Sequence, residues 1–312
     1  MSTPPSRLAY LGPPGTFTEA ALLTVPEAHF ATFDPRPTIS EAIGAVRRGD
    51  ADAAMVPLEN SVEGSVNVTL DELAFGPDEL SIRREVLLPI TISLLARPGV
   101  LLEDITAVLS MPHGAAQCRA WLAENLPAVA IEATTSTAEA ARLVALSAEP
   151  IAALGAPIAA QEYGIEVLVS DVGDNPNAMT RFVLVGRSDS PPPAPTGVDR
   201  TSAVVYIGDD HPGALLELLE EFAVRGVNLS RIESRPTKQE MGRYCFFVDA
   251  EGHVTDSRVG EALMGLKRRC AAVRFLGSYG RADATTSTVP VGVREEDFVE
   301  AAAWLKRIRT GN

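Results

Sequence analysis

The residues best suited to chemistry cluster in one stretch, Gly173-Asp174-Asn175-Pro176-Asn177-Ala178-Met179-Thr180-Arg181-Phe182. Its first half is a polar, turn-forming run. It passes directly into Phe182-Val183-Leu184-Val185-Gly186, which has the pattern of a short buried strand ended by glycine. Thr180 and Arg181 therefore stand at a loop-to-strand junction, a hydroxyl beside a permanent cation. Loops held by a rigid strand often carry binding and catalysis. A plainer reading stands beside this one, in which Asn and Asp bond their own backbone and the Arg is solvated.

The elements needed to position such a site are legible on either side. Leu8-Ala9-Tyr10-Leu11 predicts a first strand. Gly12-Pro13-Pro14-Gly15 turns it into a helix that opens at Thr16, where Glu19 completes a capping box. Such a junction offers the N–H groups of Gly15, Thr16 and Phe17 to an anion, with an ordinary strand-to-helix turn as the alternative. The glycine spacing fits neither a dinucleotide fingerprint nor a P-loop. Residues 39–49 predict a capped amphipathic helix with a glycine stop. A strand over 53–57 opens into the polar loop Leu58-Glu59-Asn60-Ser61-Val62-Glu63-Gly64-Ser65, and a helix over 66–73 follows. Glu59, Asn60 and Ser61 thus share with Thr180 a loop position at a strand end, the kind of edge where open α/β sheets gather ligands.

The pattern then restarts. Strands are expected over 85–95 and 107–110, and Pro112 opens a helix that puts His113 and Gln117 on one face with Trp121 one turn on. A strand over 129–133, a helix over 136–146 capped by Ser136, a strand over 151–154 and a helix over 157–163 complete the run. This alternation predicts the α/β class with mostly parallel sheets. Its restart predicts two lobes with a cleft between them, lobe one about 1–76 plus 174–188 and lobe two about 77–173. Residues 189–200 are a proline-rich, semi-rigid linker. Over 201–280, with Asp209-Asp210-His211-Pro212-Gly213 turning into its first helix, the order is ferredoxin-like βαββαβ. The tail, 281–312, predicts a helix over about 295–309.

Composition narrows the class. With 27 Lys and Arg against 41 Asp and Glu, the net charge is −14, and no basic stripe is present to hold nucleic acid or an anionic membrane. Three dispersed cysteines, Cys118, Cys245 and Cys270, fit neither a disulfide framework nor a zinc site. Residues 1–7 do not have the pattern of a secretory leader, and no run of ~18 apolar residues occurs. A cytoplasmic protein is expected.

In this order, Leu11-Gly12-Pro13-Pro14-Gly15-Thr16-Phe17-Thr18, Pro57-Leu58-Glu59-Asn60-Ser61, Ser110-x-Pro112-His113 and Asn177-x-x-Thr180-Arg181-Phe182 resemble the motifs of the prephenate dehydratase family. The segment beyond the linker resembles an ACT regulatory domain. There Gly213-Ala214-Leu215-Leu216 and Glu233-Ser234-Arg235-Pro236 match the two motifs by which such domains bind phenylalanine. The resemblance covers roughly residues 7–280 and includes no chorismate mutase-like segment, which suggests a monofunctional enzyme.

The resemblance implies two α/β lobes like a type II periplasmic binding protein, with the substrate in the cleft. It implies conversion of prephenate to phenylpyruvate, CO2 and water without a metal, nicotinamide or pyridoxal cofactor. The family's essential threonine falls on Thr180, with Glu59 or water as a proton relay. Thr16, Asn60, Ser61, His113, Arg181 and Phe182 are the candidate substrate contacts. For several of these residues, an alternative stays open: a structural role for Glu59, capping for Thr16, a supporting role for His113, packing for Phe182, and loop-holding for Arg181. Ser61 lacks the His–acid pair a nucleophile needs. In the ACT segment, Gly213, Ala214, Leu215, Asn228, Glu233, Ser234 and Arg235 are expected to hold phenylalanine between two subunits. That implies a homodimer at least, with a homotetramer compatible. Leu215 and Leu216 are expected in the core, and Glu233 with Arg235 has an ion pair as its alternative. Two rival functions are the same chemistry on arogenate, and a non-catalytic two-lobed sensor of an amino or keto acid.

Overall fold

A computed structural model describes residues 7–77, 80–189, 191–208, 211–238, 242–285 and 289–311. The leader reading on residues 1–6, linker residue Ser190, and Asp209 and Asp210 of the expected turn lie outside the described residues. The chain divides into two compact units, Met1–Leu70 with Val86–Val185, and Asp71–Glu85 with Gly186–Asn312.

Among the described residues the strands form three sheets, two of them mixed with helices in the expected α/β manner. The first runs in the order Thr32–Arg36, Arg7–Leu11, Ala53–Asn60, Met179–Arg187 and Leu80–Pro89, with the short Gly64–Ser65 strand on Ala53–Asn60. Arg7–Leu11 pairs in parallel with both of its neighbours. The helix Ile39–Arg48 lies between two of these strands in sequence. Thr38 caps it by accepting the Glu41 N–H, and Gly49 stops it in the left-handed conformation at φ 76°. Leu8, Tyr10, Leu22, Met55, Phe182 and Leu184 share one buried cluster.

The second sheet runs Glu166–Val169, Ser93–Ala96, Ile151–Gly155, Ala107–Ser110 and Ala130–Ala133. Its first two pairings are antiparallel and its last two parallel. The single strand expected over 85–95 is therefore two strands in two different sheets. Pro89 ends the first of them, on an edge, where its missing N–H costs no ladder bond. The helix expected to carry His113 through Trp121 is also divided, into Pro112–Ala116 and Arg119–Asn125. Cys118 breaks it at φ −119° and ψ 17°. The carboxylate of Asp174, far along the chain, caps the new start by accepting the N–H groups of Ala120 at 3.0 Å and Trp121 at 3.3 Å.

In the second unit, the strands Leu229–Pro236, Tyr244–Glu251, Asp199–Tyr206 and Ala272–Gly280 form an antiparallel sheet in that order. With the helices Ala214–Ala223 and Ser257–Arg269 the sequence of elements is βαββαβ, as expected. Val205, Leu218, Phe222, Val248, Val259 and Leu266 form its core. Leu215 and Leu216, expected in that core, are exposed by 40% and 59%. The buried positions are Ala214, Leu218, Glu221 and Phe222, one stripe at helical spacing, and the two leucines fall beside it. Glu85 and Arg200 form a buried ion pair in this unit. The tail helix is Glu295–Thr310. Among the described residues no helix is long and apolar enough to cross a membrane.

Candidate functional site

Asn60 organises the site. It ends one strand of the first sheet, and Thr180 is the second residue of the neighbouring strand, Met179–Arg187. The Asn60 Oδ1 accepts the backbone N–H groups of Val62 at 2.7 Å and Glu63 at 3.1 Å. Only the oxygen of the amide can accept, so Nδ2 is the atom turned the other way, and it donates to Thr180 Oγ1 at 2.8 Å. Thr180 is 6% exposed. Its oxygen thus accepts from an amide and its own hydrogen is left to donate elsewhere.

Ser61 clamps this arrangement. Its N–H donates to the Met179 carbonyl at 2.9 Å, and its hydroxyl accepts the Met179 N–H at 2.9 Å. The loop after Asn60 is thereby tied to the residue before Thr180. The turn leading in is shaped by Asn175, whose Oδ1 accepts the Asn177 N–H at 3.0 Å.

Neighbours in an extended strand project to opposite faces. Arg181 accordingly points away from the Thr180 side; it is buried, with Glu59 Oε2 3.9 Å from its guanidinium. Glu59, expected as a relay to Thr180, is placed with Arg181 because it too is one residue out of phase with Asn60. Phe182 is on the Thr180 side and packs into the cluster of Tyr10, Leu22 and Met55.

Thr16 is a helix cap. Its hydroxyl accepts the Glu19 N–H at 3.3 Å and donates to the Leu11 carbonyl at 3.1 Å. The Glu19 carboxylate turns back onto the Gly15 N–H at 2.5 Å and accepts the Tyr10 hydroxyl at 3.1 Å. The turn expected to receive a substrate carboxylate therefore already holds one from the chain itself. Burial first, and the Glu19 charge second, push the Tyr10 phenol well above its ordinary range. Gly15, at φ 85°, is required by close approach: a Cβ there would meet the Ala159 backbone at 3.1 Å. Tyr163 of the same helix, Pro157–Tyr163, donates to the Pro14 carbonyl at 2.7 Å.

A cavity of about 550 Å³ lies beside this junction, with Glu63, Ile92, His113, Gln117, Asp174 and Ala178 among its walls. Both lobes contribute. His113 Nδ1 lies 3.1 Å from Glu63 Oε2, and Gln117 Nε2 donates to Glu63 Oε1 at 3.0 Å. The shared face expected for His113 and Gln117 survives the break in their helix, since both reach one carboxylate. Thr180 is not a wall residue, but Ala178 is, two residues before it. Glu63 and Asp174 were not singled out by sequence reasoning. The signal available for them was their place in the two polar strand-end loops, without any sign of which partner each would meet. Among the described residues no cluster of three or more His, Cys, Asp or Glu is placed to hold a metal ion.

In the second unit a smaller cavity, about 210 Å³, is bordered by His211, Gly213, Ala214, Leu215, Tyr244 and Phe246. Gly213 precedes the helix at φ 98°, a conformation that favours glycine, and open space lies in front of it. Asn228 does not join it, because it follows the other end of the ten-residue helix Ala214–Ala223, ~15 Å away. Arg235 donates to Asp71 Oδ1 at 2.8 Å and Lys238 to Oδ2 at 2.7 Å, while Glu233 pairs with Arg231 and also lies 3.9 Å from the Arg235 guanidinium. Ser234 is exposed on the same edge strand.

Comparison with known proteins agrees with these two regions. The prephenate dehydratase profile matches residues 8–190, and the ACT domain profile matches residues 202–268. The chain is 48% identical over 307 residues to a prephenate dehydratase of Amycolatopsis methanolica, covering 98% of this chain and 99% of that one. It is 48% identical over 313 residues to that of Mycobacterium bovis, covering 98% and 94%. The crystal structure of prephenate dehydratase from Arthrobacter aurescens in complex with L-Phe is similar at a TM-score of 0.91, with 51% identity and 97% and 99% coverage. The likeness extends over nearly the whole chain, and the chain belongs to the prephenate dehydratase family, with an ACT domain after the dehydratase region.

Proposed function

We propose that this chain converts prephenate to phenylpyruvate, CO2 and water with Thr180 as the proton donor, and that L-phenylalanine regulates it through the ACT domain. The observation that carries the catalytic part is the Asn60 amide, oriented by two backbone N–H groups so that it donates to the buried Thr180 hydroxyl. Prephenate loses its ring carboxylate as CO2 while the electron pair of that C–C bond enters the ring, and the ring hydroxyl departs as the ring becomes aromatic. Hydroxide leaves poorly, and a positioned proton donor lowers such a barrier by ~10²–10⁴ in rate. Thr180 Oγ1–H supplies the proton to the departing oxygen, which leaves as water. The charge this develops on Oγ1 is met by the Asn60 N–H, and water restores the proton.

A net charge of −14 repels a dianion at long range, so local donors must hold the substrate. Ser61 and His113, both exposed at the cleft, are suited to its carboxylates. Asn60, Arg181 and Phe182 act from beneath, as the partner of Thr180, as the cation paired with Glu59, and as its packing anchor. Thr16 contributes by holding the helix start.

The relative from Arthrobacter aurescens was crystallised with L-Phe. Here the cavity at Gly213, Ala214 and Leu215 supports the same ligand, its carboxylate at the helix start. Asn228 lies at the far end of that helix, so a site containing both needs a second copy of the chain. This supports a homodimer at least, with the exposed Leu215 near the shared site and Glu233, Ser234 and Arg235 on the edge strand. The proposed boundaries are 1–188 for catalysis, 189–200 for the linker, 201–280 for the ACT domain and 281–312 for the tail. The proposed compartment is the cytoplasm, where amino-acid biosynthesis draws its substrates.

The test is incubation of the purified chain with prephenate or arogenate, reading phenylpyruvate against phenylalanine, with and without L-phenylalanine. Phenylpyruvate from prephenate, changed in rate by L-phenylalanine, and a light-scattering mass of at least twice 33.1 kDa are expected. No turnover of either substrate overturns the catalytic part. No binding of L-phenylalanine overturns the regulatory part.

A further inference from the structure

Glu63 has no part in the chemistry above, yet three of its contacts converge on the site. It sits in the tight turn between Ala53–Asn60 and Gly64–Ser65, in the first lobe. Its side chain leaves that lobe altogether. Oε1 accepts from Gln117 Nε2 at 3.0 Å and Oε2 lies 3.1 Å from His113 Nδ1, both on the second lobe. A carboxylate only accepts, so His113 carries its hydrogen on Nδ1 here, and Nε2 is the ring nitrogen left for the cleft. The backbone N–H of Glu63 donates to Asn60 Oδ1 at 3.1 Å, the oxygen whose amide partner holds Thr180.

The second lobe returns to the same place by another route. The Gln117 carbonyl accepts the Asp174 N–H at 2.7 Å, and the chain from Asp174 runs through the Asn175 turn to Met179. Met179 is bonded in both directions to Ser61, two residues before Glu63. Side chain and main chain thus close a ring: Glu63, Gln117, Asp174, Met179, Ser61 and back to Glu63. The ring includes walls of the cavity, and Thr180 follows directly from it.

Glu63 and His113 side chains are 37% and 67% exposed, so their contact adds little to folding stability. A contact of that kind between two lobes matters where it biases one arrangement of the cleft over another. We propose that Glu63 is a positioning residue for the dehydration. Its carboxylate clasps the second lobe across the cleft through Gln117 and His113, and its N–H, through Asn60, keeps the Thr180 hydroxyl aimed at the leaving group. The inference rests on the assignment of Thr180 made above.

The experiment is steady-state turnover of prephenate by the full chain carrying Glu63→Ala, Glu63→Gln, Gln117→Ala, or Glu63→Ala with Gln117→Ala. Expected for Glu63→Ala is a fall in kcat/KM of at least about tenfold, from both a higher KM and a lower kcat, with Tm within about 2 °C of wild type, as for a weak exposed pair. Glu63→Gln keeps one acceptor oxygen and should fall between. Gln117→Ala should cost several-fold alone and less than about twofold in the Glu63→Ala background, as for residues that act as one unit. The clasp is overturned if Glu63→Ala and Glu63→Gln keep kcat/KM within about twofold of wild type, if the losses of Glu63→Ala and Gln117→Ala simply multiply, or if Tm falls in step with activity. Thr180→Ala in the same assay separates the two claims. Normal turnover by that protein removes the role of Thr180, while the Glu63 comparison still reports on the clasp.

Discussion

At the scale of the residue, Thr180 is a weak acid made useful by what surrounds it. A threonine in water donates poorly; here the oxygen accepts an amide N–H, which stabilises it once its proton has moved. Thr180→Ala should lose ~10²–10⁴ in kcat with a smaller change in KM. Thr180→Ser keeps the hydroxyl but gives up the χ1 restraint of the methyl group, and should retain more activity than the alanine protein. A Thr180→Ala protein that is folded and turns over at near-wild-type rate would show that the proton comes from elsewhere. Arg181, adjacent in sequence and equally buried, faces away, so the hydroxyl–cation pair suggested by adjacency is divided between two faces of one sheet.

At the scale of the element, the strand Leu229–Pro236 carries Glu233, Ser234 and Arg235, proposed above for the effector, and Arg235 and the following Lys238 both donate to Asp71. Asp71 belongs to the helix Asn67–Phe75, whose Thr69, fully buried, donates to the Pro57 carbonyl at 2.6 Å. Pro57 lies on the strand that ends at Asn60. Asp71 is thus the acceptor shared by Arg235 and Lys238. Asp71→Asn removes the carboxylate that receives both cations. The expected outcome is a several-fold shift in the L-phenylalanine concentration giving half its effect, with turnover in its absence within about twofold of wild type. An unchanged effector response would rule out a role for this helix in regulation.

At the scale of the whole molecule, charge limits stability at low pH. The hydrogen bond from Arg281 holds Asp283 below its ordinary value of 3.8, at about 2, against the opposing pull of burial. Arg281 also donates to Glu251 at 2.9 Å. A carboxylate whose pKa is lowered by folding stabilises the native state above its unfolded value, and that contribution disappears as pH falls through the native value. Asp283 should therefore contribute about 1–2 kcal/mol above pH ~4, after allowance for partial exposure, and lose it between roughly pH 4 and 2. Chemical denaturation of wild type and Asp283→Asn at pH values from about 5 down to about 2 should give two stabilities that differ at the upper end and converge at the lower. Parallel curves would show that the pair does not contribute.

Much of this protein is written in local pattern. The repeated strand–helix alternation, the βαββαβ order after the linker, the Thr38-to-Gly49 helix and the loop-to-strand junction at Thr180 all follow from periodicity, capping and turn chemistry, which act over a few residues. Partnership does not. Asn60 and Thr180 are 120 positions apart, and nothing near either one specifies that an amide will meet that hydroxyl. The same holds for Glu63 with Gln117 and for Asp174 with the helix it caps. Two expectations were overturned by local contacts: Glu19, four residues on, took the Gly15 N–H meant for a ligand, and Leu215 and Leu216 fell beside the buried stripe of their own helix. Burial periodicity is local, so most strands, helices and polar loops can be read from the chain, but the division after Pro89 and the helix break at Cys118 cannot. Which of those groups face one another depends on sheet order and lobe packing, which bring the Thr180 hydroxyl under Asn60 and the Glu63 carboxylate across the cleft.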